Sequence, residues 1–352
     1  MAAVHLPQLV FETTPDCGLD CRHCYNIWKR PGESAPQRAN FHGSLRALKR
    51  LFRQARVVHV TFSGGEPFLG ERFLELVLAC RMRGKAVTII TNGCQAGERE
   101  YRSLVELGVG LFEIPIHSCL PEVHDGLTRK QGSWGKALAS IAILLSLGVS
   151  VAAVVVLTRL NWEELGATLG FLKQRGIEQV LLNRFNVGGA GIREWEELSV
   201  APMELRQAFA VADESAAELG MSISVGVCTP HCILDPQDFP HLRMPSCSPR
   251  LEERPVTLDA AGNLRVCNHS PAVLGNIHSA PLKRILRSPL LQRFARTIPR
   301  PCLGCGRFQA CQGGCRAAGE QLWGSLEYGD PLLRLREPMR AAPARMGSAT
   351  CR

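Results

Sequence analysis

The chain has 352 residues, 45% of them hydrophobic and 6% aromatic, with a formal charge of +9. This is enough apolar material for one large domain or two, and it excludes a disordered or fibrous chain. Five of the basic residues are arginines in residues 331–352, set against the single Glu337. With no basic stripe interleaved with aromatics, the charge gives no case for a nucleic-acid partner.

The opening "MAAVHLPQLVFETT" lacks a basic n-region, and Pro7, Gln8 and Glu12 break its apolar run, so no signal peptide is expected. Fifteen cysteines in a cytoplasmic chain point to metal rather than to disulfides. In chain order, "QLVFETT", "VVHVTFSGG", "AVTIITNG", "GLFEIPIH", "VSVAAVVVLT" and "EQVLLNR" read as strands. Amphipathic helices are expected near 41–55, 70–83, 98–108, 133–147, 161–175 and 203–220. The uncharged stretch 140–157 approaches the length of a membrane span. Gly148 divides it, however, into a helix end and a buried strand, so no membrane association is expected. Alternating strands and helices predict parallel β-α units with right-handed crossovers. Periodicity alone does not choose between an open sheet and an incomplete barrel.

After about residue 225 the periodicity fades and most of the cysteines appear, so this part is expected to lack a core and to be stapled by metal. The division predicted is 1–225, a bridging segment 226–246, a cysteine-rich domain 247–333 and a basic, unstructured tail 334–352.

"CGLDCRHC", residues 17–24, places Cys17, Cys21 and Cys24 just after the first strand, where ligand-binding loops of parallel β/α folds emerge. Three thiolates on a four-iron cubane leave one iron open to a non-protein ligand. A zinc knuckle borrowing His23 is the alternative. "SGGEP" (63–67) and "TNG" (91–93) close the second and third strands. With the cysteine triplet and the barrel pattern, they make the chain resemble the radical S-adenosylmethionine (radical SAM) enzymes. That resemblance implies an α/β fold, an incomplete (β/α)6 TIM-like barrel with a small cysteine-rich C-terminal iron–sulfur domain. It also implies a 4Fe–4S cluster on Cys17, Cys21 and Cys24 that chelates S-adenosylmethionine. Gly64, Gly65 and Glu66 would meet the methionine moiety, Thr91 and Asn92 the ribose, and His23 the adenine. The chemistry implied is reductive cleavage to a 5′-deoxyadenosyl radical that abstracts a substrate hydrogen, fed by an external one-electron reductant.

"CLGCGRFQACQGGC" (302–315), Gly262 five residues before Cys267, and "LGNI" (274–277) resemble the SPASM extension, which binds one or two auxiliary iron–sulfur clusters. The resemblance implies one cluster on Cys247, Cys267 and Cys315 with Cys232 as fourth ligand, Cys228 being the alternative. A second would use Cys302, Cys305 and Cys311. Leu333 stands where its fourth cysteine is expected, leaving Asp330, Cys351 or an open iron. A zinc ribbon is the competing reading of these cysteine pairs.

Cys119 follows the fourth strand, where a thiol at the barrel mouth would donate hydrogen to a substrate radical or simply pack. His124 and Asp125 are expected to cap the next turn. Asn183 and Arg184 end the sixth strand at the ligand-bearing face, Asn183 for the nucleotide and Arg184 for a substrate carboxylate. Cys80 and Cys94 read as packing residues. The leading expectation is an oxidoreductase that modifies a peptide or protein side chain. Since Leu9 already begins the first strand, leader recognition would fall to a separate protein or to the barrel mouth. Radical chemistry on a small metabolite, and a non-catalytic metal or electron-transfer protein, are the alternatives.

Overall fold

The computed structural model describes residues 4–36 and 38–335. One eleven-stranded sheet runs through these residues. In chain order its strands are β1 (Gln8–Glu12), β2 (His59–Ser63), β3 (Ala86–Ile90), β4 (Leu111–Pro115), β5 (Ser150–Leu157), β6 (Gln179–Arg184), β7 (Ser222–Val225), β8 (Leu242–Arg243), β9 (Val256–Asp259), β10 (Asn263–Arg265) and β11 (Val273–Asn276). Each of β1 to β8 lies beside its sequence neighbour and parallel to it. Such order requires a crossover after every strand. Helices Phe41–Phe52, Phe73–Arg81, Glu98–Glu106, Ser133–Ser146, Leu165–Gln174 and Pro202–Leu219 supply the first six, and the connection from β7 to β8 carries no α-helix. The arrangement is the expected partial barrel. Strands β7 and β8 are additions, four and two residues long and too short to show a period.

Burial alternates along the strands as a barrel demands. Phe62, Ile89, Phe112, Ala153, Val155 and Leu182 are fully buried against the helices. Phe62 meets Phe73 edge to face at 5.5 Å, and Phe112 meets Tyr101 at 5.7 Å. The intervening Thr61, Ile90, Glu113, Val154, Val156, Leu181 and Asn183 are half-buried and face inward. Stretch 140–157 divides as expected into helix Ser133–Ser146 and strand β5, and no helix among the described residues is long and apolar enough to cross a membrane.

The region after 225 is not without a core, which corrects the expectation drawn from its faint periodicity. Strand β9 pairs parallel with β1, Val256 opposite Leu9 and Asp259 opposite Glu12, and β10 and β11 continue antiparallel. Val256, Leu258, Leu264, Val266, Ile277, Leu282 and Phe294 are buried in the same apolar core as the barrel. Elements of three or four residues hold too few positions to display a repeat, although each buries its apolar side chains. On the inner face of this junction, Glu12 accepts a hydrogen bond from the buried Arg265 guanidinium. The tail beyond 335, with Cys351, lies outside the described residues.

Candidate iron–sulfur and nucleotide site

The cysteine loop leaves β1 and is clamped by the glycine motif after β2. Gly65 N–H donates to Thr14 C=O at 2.7 Å, and Glu66 N–H to Asp16 C=O at 2.6 Å. A Cβ on Gly65 would stand 2.0 Å from the Asp16 carbonyl oxygen. One on Gly64, whose φ is +130°, would stand 2.7 Å from that of Thr14. Both positions therefore exclude a side chain, and the paired glycines act first as a seat for the loop that carries Cys17. Asn26 Nδ2 donates to Gly64 C=O at 3.0 Å and Gly191 N–H to Cys24 C=O at 3.3 Å, closing the loop from its other side.

Cys17, Cys21 and Cys24 are partly buried in this loop, and burial pushes the Cys21 and Cys24 thiols up. Lys29 offsets this. Its ammonium favours the thiolates of Cys21 and Cys24 and is held by Leu19 C=O at 3.3 Å and Asp20 at 3.7 Å. Asn92 Nδ2 approaches Cys17 Sγ at 3.8 Å. Three thiols of one loop around one cation fit an anionic cluster held by thiolates.

Glu66 is fully buried, and its carboxylate fixes the turn after β3. It accepts from Thr91 Oγ1 at 2.8 Å, Asn92 N–H at 2.8 Å and Phe68 N–H at 3.3 Å. Glu66 thus positions Thr91 and Asn92, which the sequence reading assigns to the nucleotide. His23 meets His117 edge to face at 4.5 Å, and His117 stacks on His124 at 5.1 Å. Burial lowers His23 to about 3, and Val156 N–H and His117 N–H donate to Nδ1 of His117 and His124 respectively. These rings are neutral at physiological pH. Asp125 caps the next helix, accepting from Gly132 N–H, Ser133 Oγ and Trp134 N–H. Cys119 is buried, with its N–H on Thr168 Oγ1 at 3.1 Å. Cys80 is buried among core residues, and Cys94 packs beside Asn92.

Glu113 is a site residue the sequence reading passes over. It projects inward from β4 at the parity of half-buried positions, and burial raises its carboxyl to about 7, as it does that of Glu66. The signal was present: an acidic residue alternating with apolar ones inside a barrel strand. Both carboxyls keep their protons in the folded chain up to about 7, whereas their ordinary value is 4.5. Across that window the folded state binds more protons than the unfolded one, so these groups make stability fall as pH rises. In anaerobic denaturant unfolding, Glu113→Gln is expected to shrink the loss between about pH 5 and pH 7 by on the order of 1 kcal/mol or more.

At the other end of β6 the strand alternation corrects one expectation. Asn183 shares the inward face with Leu181, and its Oδ1 accepts from Gly226 N–H at 2.9 Å. Arg184 has the opposite parity and is 3% exposed, so it does not present itself to a substrate. It donates to Thr229 Oγ1 at 2.9 Å, to Cys228 C=O at 3.0 Å and to the Asp330 carboxylate. Asp330 accepts in addition from Cys315 N–H at 2.7 Å and Leu332 N–H at 3.0 Å. With both oxygens engaged, Asp330 is not placed as an iron ligand.

The thiol that the structure brings to Cys247 is Cys228, the alternative of the sequence reading, rather than Cys232. The two thiols act on each other, holding the Cys247 thiol down and pushing Cys228 up. Cys315 acts on Cys228, and Cys267 on both Cys247 and Cys315, so these four thiols form one group. Asn186 Nδ2 lies 3.2 Å from Cys315 Sγ. Two buried guanidinium groups, Arg254 and Arg316, flank it and lower the Cys247 thiol. Each keeps Nε and one terminal nitrogen without a hydrogen-bond partner among the described residues. Buried cationic donors left unpaired beside four thiols fit an anionic iron–sulfur core, whose sulfurs would accept from them. Neither arginine carries a sequence signal, since a loop arginine ordinarily reads as surface. Among the described residues, no three His, Cys, Asp or Glu side chains gather closely enough to hold a single metal ion. Cys302 and Cys311 are buried and Cys305 exposed in a separate group, and Leu333 is partly buried beside the core.

Two family models match the chain: Radical SAM superfamily over residues 11–172 and SPASM, an iron–sulfur cluster-binding domain, over residues 247–306. Together they account for more than half of it. Among curated relatives, a protein of Xanthomonas campestris pv. campestris named PqqA peptide cyclase is 25% identical over 342 residues, covering 95% of this chain and 88% of the relative. One of the same name from Gluconobacter oxydans is 23% identical, covering 93% and 90%. Among solved structures, anSMEcpe with bound AdoMet superposes with a TM-score of 0.72 at 17% identity, covering 94% of this chain and 91% of that one. Streptococcus suis SuiB bound to its precursor peptide SuiA gives 0.70 at 16% identity, covering 93% and 75%. These structural likenesses establish the fold.

Proposed function

Since the chain belongs to the radical SAM superfamily and carries a SPASM iron–sulfur domain, we propose that it is an enzyme that modifies a peptide or protein side chain by radical chemistry. The observation that carries the substrate class is the likeness, over 95% of the chain, to relatives named PqqA peptide cyclase. Cys17, Cys21 and Cys24 would hold a 4Fe–4S cluster with one iron left for S-adenosylmethionine, and Cys228, Cys247, Cys267 and Cys315 an auxiliary cluster. When bound and reduced by an external one-electron donor, the first cluster and the nucleotide supply a 5′-deoxyadenosyl radical for hydrogen abstraction.

The chain's own part is orientation, charge compensation and exclusion of water. Lys29 balances charge at the first thiol group, and Arg254 and Arg316 balance it at the auxiliary one. Glu66, itself out of reach of solvent, fixes the Thr91–Asn92 turn beside Cys17, where Asn92 serves both nucleotide and sulfur. His23 and His117 wall the barrel interior as neutral rings. Glu113 supplies an acidic group facing the same interior, suited to accept a hydrogen bond or a proton from a bound substrate. Clustered thiols and the need for a reductant support a reducing, cytoplasmic setting for this reading.

The test uses short peptides encoded beside the gene, incubated anaerobically with reduced enzyme and S-adenosylmethionine. One of them is expected to change mass with release of 5′-deoxyadenosine. A mass change in a small metabolite with every peptide untouched would contradict the substrate class.

A further inference from the structure

The second cysteine group is one thiol short by the family pattern, and the structure brings a replacement from an unexpected direction. The segment Pro230–Asp235 folds into a tight turn, with Ile233 N–H at 2.9 Å and Leu234 N–H at 3.0 Å from Pro230 C=O. Both ends of this turn are pinned to the loop bearing Cys302, Cys305 and Cys311. At its start, a Cβ on Gly314 would stand 2.5 Å from Pro230 Cδ, so the two backbones are in close contact. Next along, His231 N–H donates to Cys311 Sγ at 3.2 Å. At its end, Asp235 pairs with Arg307, between Cys305 and Cys311 in the chain. Cys232 lies between these anchors, and it is exposed as Cys305 is.

We propose that Cys232 is the fourth thiolate of the second auxiliary cluster, completing Cys302, Cys305 and Cys311 from the bridging segment. The inference rests on the reading that this group holds an iron–sulfur cluster. Of the competing donors among the described residues, Asp330 is fully buried and committed to Arg184 and two backbone N–H groups, and Leu333 offers none. The backbone N–H of His231 on Cys311 is the kind of donor that stabilises thiolate on a cluster. "CTPHC" therefore feeds two clusters, Cys228 one and Cys232 the other, with Pro230 turning the chain between them. A cluster closed by four thiolates has no vacant iron, so this one passes electrons and does not bind substrate.

The test compares anaerobically reconstituted holoenzyme with Cys232→Ala, Cys305→Ala and Cys228→Ala by iron and sulfide analysis, Mössbauer and electron paramagnetic resonance spectroscopy. Cys305→Ala marks the loss of one thiolate from this group. Cys232→Ala is expected to reproduce its signature, either loss of about one third of the iron, one cluster's share of three, or conversion of that cluster to a three-iron form on mild oxidation. Cys228→Ala is expected to alter a different signal. A Cys232→Ala protein matching the wild type while Cys305→Ala differs would overturn the assignment of Cys232. If Cys305→Ala also matches the wild type, the group holds no cluster and the underlying reading fails with it. Because Cys232 is exposed, retention of the first cluster's signal serves as the check that the variant is folded.

Discussion

Replacing Cys17, Cys21 and Cys24 together by alanine is expected to abolish release of 5′-deoxyadenosine while leaving the iron of the C-terminal groups in place. The three thiols belong to one loop, clamped by the Gly64–Gly65 seat, and Lys29 serves that loop alone. Their removal takes away the only ligands proposed for the open-iron cluster, so the whole catalysed rate goes, an effect on the order of 10⁶-fold or more. The fold should survive. The loop is held by backbone hydrogen bonds from Gly65, Glu66 and Gly191 that do not use the sulfurs. Product release measured by chromatography, with iron counted on the same sample, checks both halves. Undiminished cleavage would mean that another group holds the nucleotide.

The second large effect lies at Arg184. Breaking the Arg184–Asp330 pair by Arg184→Met strands a carboxylate that is fully buried, with only the Cys315 and Leu332 N–H groups left to it. Removing one partner of such a pair costs about 3–5 kcal/mol, because the remaining charge cannot recover its water. Arg184→Lys keeps the charge but cannot span Thr229, Cys228 C=O and Asp330 at once, so it should lose less and still lose measurably. Anaerobic denaturant unfolding gives the stability. Since Asp330 also holds the Cys315 N–H, the spectrum of the cluster on Cys315 should broaden in the methionine variant. A loss below about 1 kcal/mol would show the pair to be no more than a surface-grade contact.

Much of this was legible in the chain. Six barrel strands and their helices announced themselves, because parallel strands covered by helices are long apolar runs between amphipathic stretches. Cys17, Cys21 and Cys24 were legible through their company, since "SGGEP" and "TNG" close the neighbouring strands where spacing alone also allows a zinc knuckle. The direction of Arg184 was also readable, since period two places it opposite Asn183, but the end of a strand was read as if both residues faced the ligand. What spacing could not decide was the fate of "CTPHC". Which way each thiol points depends on a turn at Pro230 and on contacts with residues 80 positions away. Arg254 and Arg316 were invisible because burial, not residue type, gives them their role, and Lys29 because only the folded loop brings it beside the thiols. The C-terminal core was hidden by the brevity of its elements, and only its pairing with β1 reveals it.

At the centre of the account stands an iron at the Cys17–Cys21–Cys24 loop with no protein ligand. Its most direct measurement is the electron paramagnetic resonance spectrum of the reduced, reconstituted holoenzyme before and after S-adenosylmethionine is added. A shift of the signal assigned to this loop, absent from the triple alanine protein, is the predicted result. A spectrum indifferent to the nucleotide would contradict it.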